Sequence, residues 1–269
     1  MQTHLKNLNL LRVCDVCLRT TGSKKRVRLD QLLVEQGLVS GRDRARAFVL
    51  AREVIVDGAI VTQPSTLVWS DSELALTEKP RYVSRGGDKL AHALSQTGIE
   101  VSGKICLDIG VSTGGFTDCL LQNGAAHVLA VDVAYGELHT NLRSDGRVTI
   151  FERTNARNLP NFDKVIDLAV MDVSFISARK ILPSLFQTIK PEAEVLVLVK
   201  PQFEAGRSEI LKGGVVRDSR VHARTVSEVG ICAMELGLRI EGVVRSPLKG
   251  PAGNIEFFLR LLKPKIEPT

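Results

Sequence analysis

The chain has 269 residues, of which 44% are hydrophobic, 25% charged and 4% aromatic, and a formal net charge of +6. That length carries one large or two smaller domains with real cores. No apolar run approaches the roughly 18–20 residues of a membrane helix, and Leu8–Leu11, followed closely by Arg12 and Asp15, is too short for a signal segment. A soluble, cytoplasmic protein with no membrane partner is expected. The charge is uneven: residues 1–87 hold 14 Lys and Arg against 9 Asp and Glu, and the remainder 22 against 21. A basic front end suits a polyanionic partner, recognised by shape and charge more than by stacking, since aromatics are few. Of the cysteines, Cys106 and Cys119 fall in apolar patterns, where thiols act as small hydrophobes. Cys14 and Cys17 form a lone C-x-x-C that lacks the other ligands of a structural zinc site. The histidines are scattered, and no metal is expected.

Residues 1–25 show no period and read as a flexible extension. In residues 26–78, Leu29, Leu32 and Leu33 mark a short amphipathic helix ending at Gly37. Ser40 is placed to cap a second helix, 41–52, with Ala45, Phe48 and Val49 inward and Arg42 and Arg46 aligned at i,i+4 outward. Val54–Val56, Asp57-Gly58 and Ala59–Val61 spell a hairpin with a type I′ turn, and residues 73–77 alternate like a further strand. Pro80 marks a break, so residues 79–84 read as a linker before a domain at 85–263. There, apolar runs at 105–109, 127–131, 148–151, 168–171 and 195–199 alternate with helical stretches, the pattern of a parallel sheet covered on both faces. Runs at 239–244 and 255–261 lack a helix-length spacer, which predicts an antiparallel strand at the sheet edge.

Asp108-Ile109-Gly110-Val111-Ser112-Thr113-Gly114-Gly115-Phe116 follows the first of these strands and opens a helix. Glycines there let the backbone turn tightly and approach a ligand. The D-x-G-x-x-x-G-G spacing resembles motif I of class I methyltransferases, whose loop cradles the methionine part of S-adenosylmethionine. Asp132 ends the second strand about two dozen residues on, where a carboxylate accepts ribose hydroxyls in nucleotide-binding α/β folds. Asn155 and Ala156, after the third strand, are placed to line an adenine.

Asp172 ends the fourth strand and Lys200 the fifth, so both belong at the carboxyl edge where open sheets bind ligands. A lysine closing an apolar strand is costly to desolvate without an acidic partner. Lys89, Asp172, Lys200 and Glu256 occur in the order and setting of the K-D-K-E tetrad of FtsJ-like ribose 2′-O-methyltransferases. With Arg28-Leu29-Asp30, residues 82–90, Asp172-Val173-Ser174-Phe175-Ile176-Ser177, Lys200-Pro201-Gln202-Phe203-Glu204 and Gly253-Asn254-Ile255-Glu256, the chain resembles the TlyA family, also called hemolysin A, over about residues 25–263.

The resemblance implies an α/β, Rossmann-like class I methyltransferase fold behind a small α+β RNA-binding domain of the alpha-L type. It also implies S-adenosylmethionine as cofactor and 2′-O-methylation of cytidines in ribosomal RNA. Cofactor residues would be Asp108, Gly110, Ser112, Gly114, Gly115, Phe116, Asp132, Asn155, Ala156 and Asp172. Lys89, Asp172, Lys200 and Glu256 would be catalytic, with Lys200 accepting or steering the hydroxyl proton. Arg26, Arg28, Arg42, Arg44, Arg46 and Arg85 would contact RNA in ribosomal RNA or ribosomal subunits. Three other readings bear on the same residues. A membrane-active hemolysin needs apolar or amphipathic segments longer than any here. A non-catalytic ribosome-assembly factor would not need the tetrad. A pseudouridine synthase has no role for the glycine loop.

Overall fold

Apolar spacing along the front of the chain is repeated in what becomes buried. The computed structural model describes residues 25–76 and 80–265; Cys14, Cys17 and the expected extension, apart from Lys25, lie outside the described residues. The chain divides into two units, one ending at Lys79 and one beginning at Pro80. In the first, β1 (Arg26–Arg28), α1 (Leu29–Glu35) and α2 (Arg42–Leu50) precede β2 (Val54–Val56), β3 (Ala59–Ile60), β4 (Leu67–Trp69) and β5 (Leu74–Leu76). Leu29, Leu32 and Leu33 of α1 meet Ala45 and Val49 of α2 and Val54 and Val56 of β2 in one core. Asp57 and Gly58 both take positive φ, as a type I′ turn requires, and β2 pairs with β3 on one side and β5 on the other. β1 and β4, too short to show a period, form a separate two-stranded ribbon. Ser40 does not cap α2. Gly41 holds that position in extended backbone, and no side chain takes up the free amides.

In the second unit the elements are α3 (Arg85–Thr97), β6 (Ile105–Ile109), α4 (Gly115–Gln122), β7 (His127–Val131), α5 (Thr140–Arg143), β8 (Val148–Phe151), β9 (Ile166–Met171), α6 (Leu182–Thr188), β10 (Ile189–Val199), α7 (Pro201–Glu204), α8 (Ser219–Glu235), β11 (Arg239–Arg245) and β12 (Phe257–Leu262). Their sheet has the order β11-β12-β10-β9-β6-β7-β8. β8, β7, β6, β9 and β10 run parallel. β12 runs against both β10 and β11, so the expected antiparallel element lies along one side of the sheet. Its two faces bury separate cores, one under α3 and α4 and one under α6 and α8. Burial pushes the Cys106 thiol up to about 12 and that of Cys119 up to about 11, which leaves both as inert packing groups.

The stretch expected as linker is partly packed. Tyr82 is 2% exposed in the first of these cores, and the Val83 amide donates to Asp118 Oδ2 at 2.8 Å. This is possible because the starts of α3 and α4 nearly touch. A Cβ on Gly87 would stand 2.2 Å from the Tyr82 ring, and one on Gly115 would stand 2.2 Å from Ser84 Oγ and 2.9 Å from the Gly87 amide nitrogen. Ser84 can rotate away, but the backbone cannot. Gly115→Ala is expected to cost about 1–3 kcal/mol through this overpacking, read as a lower urea midpoint with an unchanged m-value.

Candidate active site

Two adjoining clefts open at the carboxyl ends of the parallel strands. The first, about 390 Å³, is lined by Gly110, Ser112, Asp132, Asn155, Ala156 and Asp172, among others. The second, about 270 Å³, is lined by Arg85, Lys89, Gly115, Phe116, Lys200 and Pro251, among others. Gly110, Ser112, Asp172 and Ser174 border both.

Asp132 organises the first cleft. Its Oδ2 accepts from the Ser112 amide at 2.7 Å and its Oδ1 from the Ala134 amide at 2.9 Å. A carboxylate has about four acceptor sites, so both oxygens keep capacity for hydroxyl donors. Gly110, at φ +85, could not carry a side chain, because a Cβ would stand 2.4 Å from the Asp172 carbonyl oxygen. The shape of this cleft thus depends on Asp132 and Gly110. Asn155 and Ala156 line the same wall.

Asp108 and Gly114, both expected at the cofactor, are absent from either wall. Asp108 is fully buried and accepts from Thr117 Oγ1 at 2.7 Å, which ties β6 to α4. Gly114, at φ +98, lies against Leu138 and Leu142. Both shape the loop from behind. Sequence could not separate them from its ligand-facing neighbours, because strand pleat and turn geometry decide which way each points.

In the second cleft the four tetrad residues form two ion pairs. Lys200 Nζ lies 2.7 Å from Asp172 Oδ1 and donates to Ser174 Oγ at 2.8 Å. Lys89 Nζ donates to Glu256 Oε2 at 2.6 Å. Both lysine side chains are 10% exposed, and that of Glu256 only 1%. Glu256 therefore stands behind Lys89, and the lysines present their ammonium groups to the cleft.

Other residues of the same motifs also shape the site. The segment after β10 is matched residue by residue to the segment after β9. Lys200 meets Asp172 and Ser174, Phe203 packs on Phe175 with ring centroids 5.1 Å apart, and Glu204 accepts from Ser177 Oγ at 2.5 Å and the Ala178 amide at 2.6 Å. This holds Phe175 at positive φ, with the residue 91% exposed at the first cleft. The sequence shows only a Glu three residues past Pro201, with nothing to mark it as buried.

Three arginines of the first unit gather on Asp30, itself 2% exposed. Arg28 donates to both its oxygens, at 3.0 and 2.7 Å, and Arg42 and Arg46 each approach to 3.9 Å. The Arg28 contact, reinforced by the other two charges, holds the Asp30 carboxyl below its usual range. One acid thus sets three cations on a common face. Arg26 lies over the Trp69 ring and Arg44 over Phe48.

The sequence model for FtsJ-like methyltransferases matches residues 82–263, and that for the S4 domain matches residues 27–73. A Mycobacterium tuberculosis protein named 16S/23S rRNA (cytidine-2′-O)-methyltransferase TlyA is 46% identical over 241 residues, 88% of this chain and 90% of its own length. The chain belongs to the TlyA family of FtsJ-like methyltransferases. A TlyA-family relative from Brachyspira hyodysenteriae, named Hemolysin A, is 38% identical over 239 residues, covering 88% of this chain and all of its own. A solved Streptococcus thermophilus structure that also carries the hemolysin name has a TM-score of 0.69 at 41% identity, covering 89% of both chains. Among the described residues, no helix is long and apolar enough to cross a membrane, and no cluster of three metal-ligating side chains occurs.

Burial pushes the Asp108 carboxyl up from 3.8 to about 7. Between those values the folded chain holds a proton that the unfolded chain has released, so stability falls as pH rises through that window and levels above it. Asp108→Asn keeps an acceptor for Thr117, and its urea midpoint is expected to fall less than the parent's across the same window. A second expectation concerns the clamp. Glu204→Ala strands the Ala178 amide and the Ser177 hydroxyl and is expected to cost about 1–3 kcal/mol in urea denaturation. Glu204→Gln should restore most of it.

Proposed function

We propose that the chain transfers a methyl group from S-adenosylmethionine to ribose 2′-hydroxyls of cytidine in ribosomal RNA, in the cytoplasm, with residues 26–78 gripping structured RNA. The observation that carries this reading is the pair of lysine–carboxylate contacts facing a cleft that adjoins the Asp132 cleft. The relatives' names specify cytidine and ribosomal RNA.

The residues present fit the cofactor. The wall of Asp132, Asn155 and Ala156 offers acceptors and an apolar surface for a nucleoside, and Gly110 leaves room for close backbone approach. When bound, S-adenosylmethionine supplies an electrophilic methyl group on a sulfonium. Phe175, exposed beside that wall, offers a stacking face for the base of the target nucleotide. Lys200 binds the 2′-oxygen. Its Nζ, held beside Asp172 at 2.7 Å, accepts the hydroxyl proton and ends the step as an ammonium, which leaves the oxygen free to attack. Lys89, fixed by Glu256, holds positive charge beside the developing oxyanion. Much of the acceleration comes from alignment of the oxygen with the methyl carbon. Arg42, Arg44, Arg46, Arg26 and Arg28 contact phosphates from the first unit, and Arg85 does so from the rim of the second cleft.

The test is tritiated-methyl transfer to isolated ribosomal subunits, with the product mapped by primer extension at low dNTP. Lys200→Ala is expected to lower kcat by on the order of 10²–10⁴, while cofactor binding by calorimetry stays at the parent level. Methyl groups on a base, or near-full activity of Lys200→Ala, would overturn the assignment.

A further inference from the structure

From Pro80 on, the second unit holds 24 Lys and Arg against 21 Asp and Glu, and some of its cations are ion-paired while others are not. Arg179, Arg224, Arg239 and Arg260 each meet a glutamate. Arg245 and Lys249 meet none among the described residues, and both line a hollow of about 250 Å³ with Ser246, Pro247 and Ile255.

Strand register places this hollow. Val199, the residue before Lys200, pairs with Phe257, and Phe257 pairs with Arg245. Arg245 therefore stands two strands from the end of β10 at the same edge of the sheet, about 10 Å across at the usual strand spacing. The loop from β11 to β12 is fixed to the tetrad at both ends. The Ser246 amide donates to the Glu256 carbonyl at 2.9 Å, and a Cβ on Gly250, next to Lys249, would lie 2.6 Å from Glu256 Oε1. Pro251 of this loop lines the cleft of Lys89 and Lys200. Asn254, 2% exposed, accepts from the Val216 amide and donates to the Gly214 carbonyl, at 2.9 and 2.8 Å. That tether brings in the segment bearing Lys212 and Arg217, which also have no ion pair among the described residues.

The Asp132 cleft lies toward β7, on the opposite side of Lys200 from this loop. We infer that the acceptor RNA runs over the β10–β12–β11 end of the sheet, with a phosphodiester next to the target nucleotide seated between Arg245 and Lys249. Resting on the reaction proposed above, this gives the catalytic unit its own backbone-binding surface, separate from the arginines around Asp30. Both cations are exposed at the loop surface, and neither packs a core, so their removal leaves the fold intact.

The test compares the full-length parent with Arg245→Ala/Lys249→Ala, using isolated ribosomal subunits for kinetics and a fluorescein-labelled single-stranded RNA for anisotropy. The double variant is expected to raise KM for subunits about tenfold or more with kcat at saturation unchanged. Its log–log salt dependence of RNA affinity should be shallower by about 1.4, two contacts at roughly 0.7 each for single strands. S-adenosylmethionine affinity should stay at the parent value. Arg245→Lys/Lys249→Arg, which keeps the charge, should restore the parent slope. Lys164→Ala, at the opposite end of the sheet before β9, should change nothing. An unchanged KM and salt slope, or a loss of kcat at unchanged KM, overturns the proposal. If the parent places no methyl on ribose but the double variant still loses the salt slope, the surface stands and the reaction assignment falls.

Discussion

An ammonium group at the end of an apolar strand is tolerated only if an anion meets it. Lys200 terminates β10, whose preceding five residues are buried, and Asp172 meets it at the end of the neighbouring strand. Lys89, on the first turns of α3, meets Glu256 just before β12. Leaving one member of such a pair unmatched costs about 3–5 kcal/mol, and a well-packed apolar pair would often do as well or better for stability alone. Burying two pairs side by side is therefore hard to explain as a device for folding. It is readily explained as the preorganisation of two cations toward an oxygen that gains negative charge.

Strand order converts those pairs into a division of labour. β9 and β10 bring Asp172 and Lys200 together at the middle of the carboxyl edge. On the β6–β7 side the edge carries the glycine loop and Asp132, and on the β12–β11 side it carries Glu256 and the loop with Lys249. The reversed direction of β12 is essential here, because it returns Glu256 to the edge at which the parallel strands finish. A parallel strand in that place would have put its first residue at the far end.

Much of this was legible beforehand because it is local. Five apolar runs separated by helical stretches require a covered parallel sheet. Asp132, Asp172 and Lys200 each end a strand, so their arrival at one edge follows from connectivity. The Asp57-Gly58 turn needs only its own two residues. The points where structure and expectation part share a cause too. Asp108 and Gly114 sit within a ligand-binding signature, and Ser40 is a good capping residue, but orientation depends on what packs behind each one. The packed state of Tyr82 likewise depends on Gly87 and Gly115, whose close approach has no one-dimensional signature.

What the sequence determined by itself was the kind of sheet, the position of the basic front end and which charged residues end the strands, since strand period, charge and side-chain type are local properties. Tertiary structure alone decided which carboxylate holds which lysine, that Asp30 gathers three arginines, that Glu204 clamps the segment bearing Phe175, and that Arg245 and Lys249, without an ion pair among the described residues, stand on the tetrad's edge of the sheet. Apart from Arg28, two positions from Asp30, those contacts join residues from a dozen to more than a hundred positions apart, whose distances only strand register and helix packing set.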